Sequence, residues 1–207
     1  AVLSVDGIGE FTSTWLGVGE GNNIEVIKEI KYPNSLGFLW EKFCKFLGFS
    51  VYDAGKVMSF ASYGDDERFY RQFQELVQIN PNGGFIINNH IMKFRIDDFE
   101  KIEKFFGVKK INSIKEKTKD HEDIAAGLQR ITNEVMLHLA KFLSVKTKSK
   151  NLCIAGGVAL NCVANSKIME SGYFKNIYIQ PAANDAGTAL GAAYYIWNHI
   201  LGNKRKF

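Results

Sequence analysis

The residues with the clearest chemical potential lie in the last quarter of the chain, where two short apolar runs each end in a turn of small residues. The run 151–155 is followed by Gly156 and Gly157, and the run 176–180 leads to the acid Asp185. Each turn is followed by helix-forming sequence, so the pattern predicts a β-α-β-α unit with two helix N-termini near the ends of neighbouring strands. In open α/β sheets such a crevice binds nucleotides and other anions.

The glycine pair has two compatible interpretations. Gly156 and Gly157 either allow a strand and a helix to pack closely, or allow a nucleotide to lie flat against the backbone with its phosphates near the helix N-terminus. Asn161 follows on the same segment. It either belongs to that ligand site or closes the helix turn internally.

Two acids are candidates for direct chemistry. Asp6 follows an apolar strand and precedes Gly7, so it is either a turn-forming residue or a carboxylate that orients a water, a metal or a substrate group. Asp185 is either a helix N-cap, worth about 1 kcal/mol, or a ligand of an oxygen-preferring cation. The residues alone leave both choices open.

The elements that must position these side chains follow from residue periodicity. Residues 1–32 predict three antiparallel strands, with a turn at Gly7 to Gly9 after the first strand. Ser35 is the expected N-cap of a helix that ends near Phe49. Further helices are predicted at 66–79, 97–106 and 118–143, and short strands at 85–87 and 93–96.

A three-strand meander followed by alternating helices and strands predicts an α/β lobe of the actin, hexokinase and heat-shock-ATPase type, which is ribonuclease H-like, with a mixed sheet. In that fold the hairpin after the first strand presents backbone N–H groups to phosphates, so Gly7 and Gly9 are candidate nucleotide contacts. A dinucleotide-binding lobe would begin β-α-β. The glycine-rich run 17–21 lies between two predicted strands and opens no helix, so we reject that alternative.

Composition narrows the function classes. The hydrophobic content of 46% and charged content of 23% are typical of a globular protein, and the net charge is only +4. Basic residues cluster loosely at 101–119, 141–150 and the C-terminal end, without interleaved aromatic residues, which argues against nucleic-acid binding. Polar residues interrupt the apolar stretch 177–197, so no membrane span is expected.

The cysteines indicate neither a disulfide framework nor a zinc site. The chain has three cysteines, Cys44, Cys153 and Cys162, and no two have CxxC spacing. Cys153 falls in an apolar strand and Cys162 in an apolar helix, so both are expected to be small core residues. A cytoplasmic protein fits this cysteine usage best.

Four segments together resemble one enzyme family, the carbamoyltransferases of the nodulation and cephalosporin O-carbamoylation type. The four segments occur in the order that the family shows. They are Val5-Asp6-Gly7-Ile8-Gly9-Glu10, Gly55-Lys56-Val57-Met58, Gly156-Gly157-Val158-Ala159-Leu160-Asn161 and Pro181-Ala182-Ala183-Asn184-Asp185-Ala186-Gly187.

The resemblance implies a reaction and a set of site residues. The parent protein would use carbamoyl phosphate and ATP to make carbamoyladenylate, and would transfer the carbamoyl group to a hydroxyl of a small acceptor. Asp185 would bind a divalent metal, iron or magnesium, while Asp6 and Lys56 would act at the reaction centre, Lys56 as a point charge unless it is simply solvated. The nucleotide contacts would be Gly7, Gly9, Gly156, Gly157, Val158, Asn161 and Gly187.

The resemblance also implies a domain organisation. Residues 1–207 would form the second lobe of the transferase domain, with a helical insertion at about 34–115. An N-terminal lobe carrying a His-x-x-x-His metal pair and a C-terminal carbamoyladenylate-forming domain would complete the protein, so the isolated chain is expected to be inactive. A homodimer stays open.

Two other functions remain as alternatives. One is a nucleotide-sensing module of the same fold without transfer activity. The other is a small-molecule kinase of that fold, against which the alanine-rich segment 181–193 argues.

Overall fold

A five-stranded mixed sheet forms the centre of the fold, which the computed structural model describes for residues 1–204. Residues 205–207, the end of the basic C-terminal run, lie outside the described residues. The five strands are β1 (Val2–Gly9), β2 (Thr12–Glu20), β3 (Asn23–Lys31), β6 (Asn151–Ala155) and β7 (Asn176–Ile179). Their spatial order is β3-β2-β1-β6-β7, with β1 to β3 antiparallel and β1, β6 and β7 mutually parallel.

The predicted α/β class and the predicted three-strand meander are confirmed. Between β3 and a long helix at Lys119–Thr147, the chain forms short helices and a separate two-stranded hairpin. The remaining elements are α1 (Leu36–Phe46), α2 (Ala54–Ala61), α3 (Tyr70–Leu76), β4 (Val77–Asn80), β5 (Gly84–Ile87), α4 (Asn89–Met92), α5 (Glu100–Phe106), α6 (Lys119–Thr147), α7 (Cys162–Glu170) and α8 (Thr188–Tyr194).

One face of the sheet is packed and the other lines a cavity. Leu3 and Val5 of β1 are completely buried, whereas Ser4 between them lines the cavity, as expected because successive strand residues point to opposite faces. Helix α6 contacts β1, β2, α2 and α7, and its apolar stripe is buried throughout. None of the helices formed by residues 1–204 has the length and the apolar composition that a bilayer crossing requires.

The predicted turn at Gly7 to Gly9 is wrong, because β1 continues to Gly9. Pairing with β2 passes from Val5 opposite Thr14 directly to Gly9 opposite Thr12, so three residues of β1 face one residue of β2. This irregularity is a bulge that includes Asp6 and Gly7. The hairpin turns later, at residues 10–11.

Two predictions in the region between the sheet strands are also wrong. The segment 93–96 is not a strand, because α4 ends at Met92 and both Lys93 and Arg95 take left-handed backbone conformations. The helix predicted at 66–79 ends at Leu76, and its last residues form β4. Their β-branched residues and the following Asn-Gly-Gly turn favour a hairpin over a helix.

The predicted core positions of Cys153 and Cys162 are also wrong. Cys153 and Cys162 are exposed, because Cys153 points to the open face of the sheet and Cys162 lies on the outer side of α7. Cys44 of α1 is the buried thiol, and burial raises its pKa to about 12. An apolar segment therefore predicted an element correctly without predicting which of its faces is covered.

The close approach of Gly156 to β1 yields a stability prediction. Gly156 has φ +89°, and a Cβ there would lie 2.2 Å from the Val5 carbonyl oxygen. Gly156→Ala is expected to lower the free energy of unfolding by about 3 kcal/mol, because backbone strain and steric overlap both contribute.

Gly172→Ala is the matched control in a urea denaturation measurement. Gly172 has φ +69°, but no atom of residues 1–204 lies within 4 Å of a Cβ placed there, so only the backbone strain applies, at about 1 kcal/mol. Equal losses for the two variants would contradict the steric explanation.

Candidate functional site

The carboxyl ends of the three parallel strands meet at one edge of the sheet and bring the predicted motifs together. The Gly156 N–H donates to the Ala183 carbonyl oxygen at 2.8 Å, which joins the glycine turn after β6 to the loop after β7. A Cβ at Gly157 would lie 3.0 Å from Asp6 Oδ1, so the β1 bulge touches the same turn. Open α/β sheets bind ligands at this edge.

Two cavities flank this meeting point. The sheet-face cavity, of about 840 Å³, lies between the open face of the sheet and α8. The helix-side cavity, of about 460 Å³, is bordered by α1, α2 and the glycine turn. Asp6, Asn184 and Asp185 line both cavities, so they form the partition between them.

Most of the predicted site residues line one of these cavities. Gly156 and Gly187 line the sheet-face cavity in addition to the partition acids. The predicted residues along the helix-side cavity, besides Asp6 and Asp185, are Gly7, Gly157, Val158 and Asn161. What these residues do there stays a prediction.

Helix α1 holds the Asp6 bulge in place. Ser35, the confirmed N-cap of α1, accepts from the Phe38 N–H at 3.1 Å and donates from its hydroxyl to the Gly7 carbonyl oxygen at 2.6 Å. A Cβ at Gly37 would lie only 2.4 Å from the Gly7 nitrogen, so the helix N-terminus packs directly against the bulge. Asp6 Oδ1 accepts from the N–H of the adjacent Gly7 at 2.8 Å.

Asp185 does not cap a helix, so that interpretation of the sequence is wrong. Asn184 is the cap, because its Oδ1 accepts from the Ala186 N–H at 3.2 Å. Asp185 begins a single 3₁₀ turn before α8, and the residue is exposed at the partition. The neighbouring asparagine has the same capping ability, which is why sequence alone did not distinguish the two.

The chain by itself offers little to a metal ion. Within residues 1–204, no group of three or more His, Cys, Asp or Glu side chains converges. Asp185 and Asp6 are carboxylates suited to an oxygen-preferring cation, yet two carboxylates are fewer ligands than Mg²⁺ or iron requires. The remaining ligands of a bound metal would have to be water, substrate or other polypeptide.

Asn161 combines two positions in one residue. It is the N-cap of α7, where its Oδ1 accepts from the Ala164 N–H at 3.0 Å, so the interpretation that it closes the helix turn is confirmed. Its side chain is also paired with the amide of Gln129 on α6, and the residue lines the helix-side cavity.

Lys56 and Gly9 are not brought to this site. Lys56 is paired with Asp53 at 2.8 Å, its side chain is 69% exposed, and it is not among the described residues that line either cavity. Gly9 pairs with Thr12 at the far end of the bulge. A Cβ at Gly187 would lie 2.2 Å from the Ala182 carbonyl oxygen, so Gly187 packs closely against its own loop.

The structure also adds residues that the sequence pattern did not single out. Trp40 and Glu41 of α1 and Met58 of α2 line the helix-side cavity, and Gln129 stands behind Asn161. The signal for Gln129 was a polar residue within the apolar stripe of α6. No comparable signal marked Glu41, which is a charged residue at an exposed position of α1.

The Glu41 carboxyl lies partly buried at the helix-side cavity, which affects its pKa. Burial raises its pKa above the ordinary value, Lys45 opposes this, Asp6 raises it further and Arg95 lowers it. A Cβ at Gly7 would lie 3.8 Å from Glu41 Oε1, so the carboxyl stands next to the β1 bulge.

These observations define the class of the protein. It is an α/β domain with a ligand-sized site, lined by acids, at the carboxyl edge of its parallel strands. The chain belongs to the carbamoyltransferase family, because the family model described as "Carbamoyltransferase N-terminus" matches residues 1–194. The family expected from the four motifs is thereby confirmed.

Curated relatives agree with this assignment. The chain is 35% identical to nodulation protein NolNO of Sinorhizobium fredii over 96% of the chain and 28% of the relative, and 33% identical to nodulation protein NolO of Bradyrhizobium diazoefficiens over 96% and 35%. It is 39% identical to an uncharacterized protein of Synechocystis sp. over 99% of the chain and 34% of the relative. The chain thus spans about a third of the length of these relatives.

Because the pKa of Glu41 is raised, Glu41→Gln is expected to increase the stability of the fold in a pH-dependent way. The folded state disfavours the charged carboxylate. The wild-type free energy of unfolding therefore falls as the pH rises above the ordinary Glu pKa of 4.5, and the loss is complete above the raised pKa of the folded state. The variant is therefore expected to show a higher Tm at pH 7 and an unchanged Tm below about pH 4.

Glu29→Gln, an exposed acid of β3, serves as the control and should leave Tm unchanged at both pH values. A Glu41→Gln variant that is less stable than wild type at pH 7 would contradict the assigned direction of the shift.

Proposed function

We propose that this chain is the second lobe of the catalytic domain of an ATP- and metal-dependent O-carbamoyltransferase, with an actin-like fold. The full-length protein would form carbamoyladenylate from carbamoyl phosphate and ATP, and would transfer the carbamoyl group to a hydroxyl of a small acceptor. The observation that carries this proposal is the convergence of the Asp6 bulge, the Gly156–Gly157 turn and the Asp185 loop at one sheet edge. Family membership supplies the carbamoyl chemistry.

The helix-side cavity is the proposed nucleoside pocket. Its volume of about 460 Å³ lies in the range of small-molecule sites, which are mostly apolar with a few polar groups. Trp40, Met58 and Val158 supply apolar wall for a purine base, and the missing side chain of Gly157 leaves backbone accessible beside it. The phosphates would then extend toward the partition residues Asp6 and Asp185.

The charge of the site supports a metal requirement. The described residues that line the two cavities include the acids Asp6, Glu41 and Asp185 but no lysine or arginine. A bare triphosphate would be repelled by these carboxylates. A divalent cation held by Asp185 would reverse the local field and attract the phosphate oxygens.

In the proposed transfer step, the acceptor hydroxyl oxygen forms a bond to the carbamoyl carbon while the bond from that carbon to the phosphate oxygen of the adenylate breaks, releasing AMP. The hydroxyl proton passes to a general base, and Asp6 is the proposed group that orients the reacting atoms. When bound, the metal would stabilise negative charge on the leaving phosphate.

A nucleotide-sensing module of the same fold is the second candidate. Two observations favour it: residues 1–204 contain no group of three or more metal-ligating side chains, and Lys56 is held in an ion pair away from the cavities. Such a module would bind ATP without forming carbamoylated product. A kinase of the same fold would instead consume ATP in the absence of carbamoyl phosphate.

Calorimetric titration of the full-length protein with ATP tests the proposal, with Mg²⁺ or Fe²⁺ present or absent. Wild type is expected to bind ATP only with metal, and Asp185→Ala is expected to weaken that binding at least about tenfold, because a charge-assisted ligand bond contributes on the order of 1.5–3 kcal/mol.

Glu29→Ala is the matched control, since this β3 acid is exposed and lines neither of the two cavities. Metal-independent binding, or unchanged binding by Asp185→Ala, would sink the metal role of Asp185. Metal-dependent binding without any carbamoylated product from carbamoyl phosphate and an acceptor panel would favour the sensor.

A further inference from the structure

A reciprocal pair of buried amides stands behind the proposed nucleoside pocket. Gln129 Nε2 donates to Asn161 Oδ1 at 3.1 Å, and Asn161 Nδ2 donates to Gln129 Oε1 at 3.1 Å. Both residues are less than a tenth exposed, and the pair joins α6 to the N-terminus of α7 across 32 residues of sequence.

Backbone geometry fixes the orientation of both amides. The Ala164 N–H can only donate, so the atom of Asn161 that faces it at 3.0 Å must be the oxygen. Asn161 Nδ2 therefore faces Gln129 Oε1, and Gln129 Nε2 faces Asn161 Oδ1. The second contact of Gln129 Nε2 is the Asn133 Oδ1 atom at 2.7 Å, which holds Gln129 itself.

This network leaves a single hydrogen-bonding group of Asn161 unused. Its Oδ1 accepts from Gln129 and Ala164, and one of its two Nδ2 hydrogens goes to Gln129. Within the part of the chain that the structure describes, the second Nδ2 hydrogen has no acceptor. Asn161 lines the helix-side cavity, so a ligand there is the expected source of an acceptor for this hydrogen.

We propose that Gln129 is a positioning residue that fixes Asn161 so that its free amide N–H donates to an acceptor atom of the nucleoside, a ring nitrogen of the base or a ribose oxygen. The inference rests on the proposed function, which places a nucleotide in this cavity. It makes Asn161 a fixed neutral donor in a cavity whose charged groups, Asp6, Glu41 and Asp185, are acceptors when ionised.

Helix capping alone does not explain this arrangement. A cap needs one side-chain oxygen, which serine or aspartate supplies as well as asparagine. Burying the Nδ2 amino group of Asn161 costs free energy unless its hydrogens are paired. Gln129 accepts from only one of the two Nδ2 hydrogens. The pair thus retains a donor that the fold does not use.

A double-mutant cycle on ATP binding tests the inference. Asn161→Ser keeps a capping oxygen and removes the amide NH₂ group, and Gln129→Met keeps the helix propensity and approximate volume while removing the amide. In the full-length protein with ATP and Mg²⁺, each variant is expected to raise the Kd about three- to tenfold, the effect of one hydrogen bond.

Coupling between the two residues is the decisive readout. If Gln129 acts through Asn161, the double variant binds ATP no more weakly than Asn161→Ser alone, whereas independent structural damage would make the two losses add. Ser144→Ala is the control for damage to α6, because it removes a hydrogen bond to the Tyr173 carbonyl oxygen and lines neither cavity. It should lower Tm without changing the Kd.

Asn133→Ala gives a milder test if Gln129→Met fails to fold, since it removes only the anchor of Gln129 and should raise the Kd less, in the same direction. Additive losses, or lower Tm values with an unchanged Kd, would overturn the role of Gln129 while leaving the proposed function intact. A wild-type protein that binds no ATP would overturn both.

Discussion

The close contact between the glycine turn after β6 and the backbone of β1 is the constraint on which the rest of the site depends. A side chain at Gly156 would overlap the Val5 carbonyl oxygen, and the Gly156 N–H is bonded to Ala183 in the loop after β7. Segments about 150 and 180 residues along the chain are thereby held against its first strand. Only after this approach can Gly157 lie under Asp6 and can Asp185 join the same partition.

Helix α1 completes this arrangement from the other side. Ser35 joins the first turn of α1 to the bulge by a hydrogen bond. Gly37 allows the helix backbone to pack so closely against Gly7 that any side chain at position 37 would overlap it. The same helix then carries Trp40 and Glu41 into the cavity wall. The Asp6 bulge, helix α1 and the glycine turn after β6 therefore hold one another in place. The charged side chains that line the two cavities within the described residues are all acidic.

Local sequence patterns predicted much of this architecture. The meander, the Ser35 cap and the long helix α6 follow from alternation, cap chemistry and helical spacing, all of which act between near neighbours. Patterns failed where local signals were ambiguous. The Gly7 to Gly9 segment reads equally as a turn or a bulge, and Asn184 competes with Asp185 as a cap. Cys153 lies in the predicted strand but on its uncovered face.

What the sequence determined by itself was the three-strand meander, the Ser35-capped helix, the long helix α6, the four motifs and the family, because these depend on residue types at short spacing. Which residues share a site was decided only by the tertiary structure. Lys56 stands beside a motif glycine yet turns to Asp53, while Gln129, far from every motif, is bonded to Asn161. Such neighbours arise from strand register and from helices packing against one another, and these long-range contacts leave no periodicity in the chain.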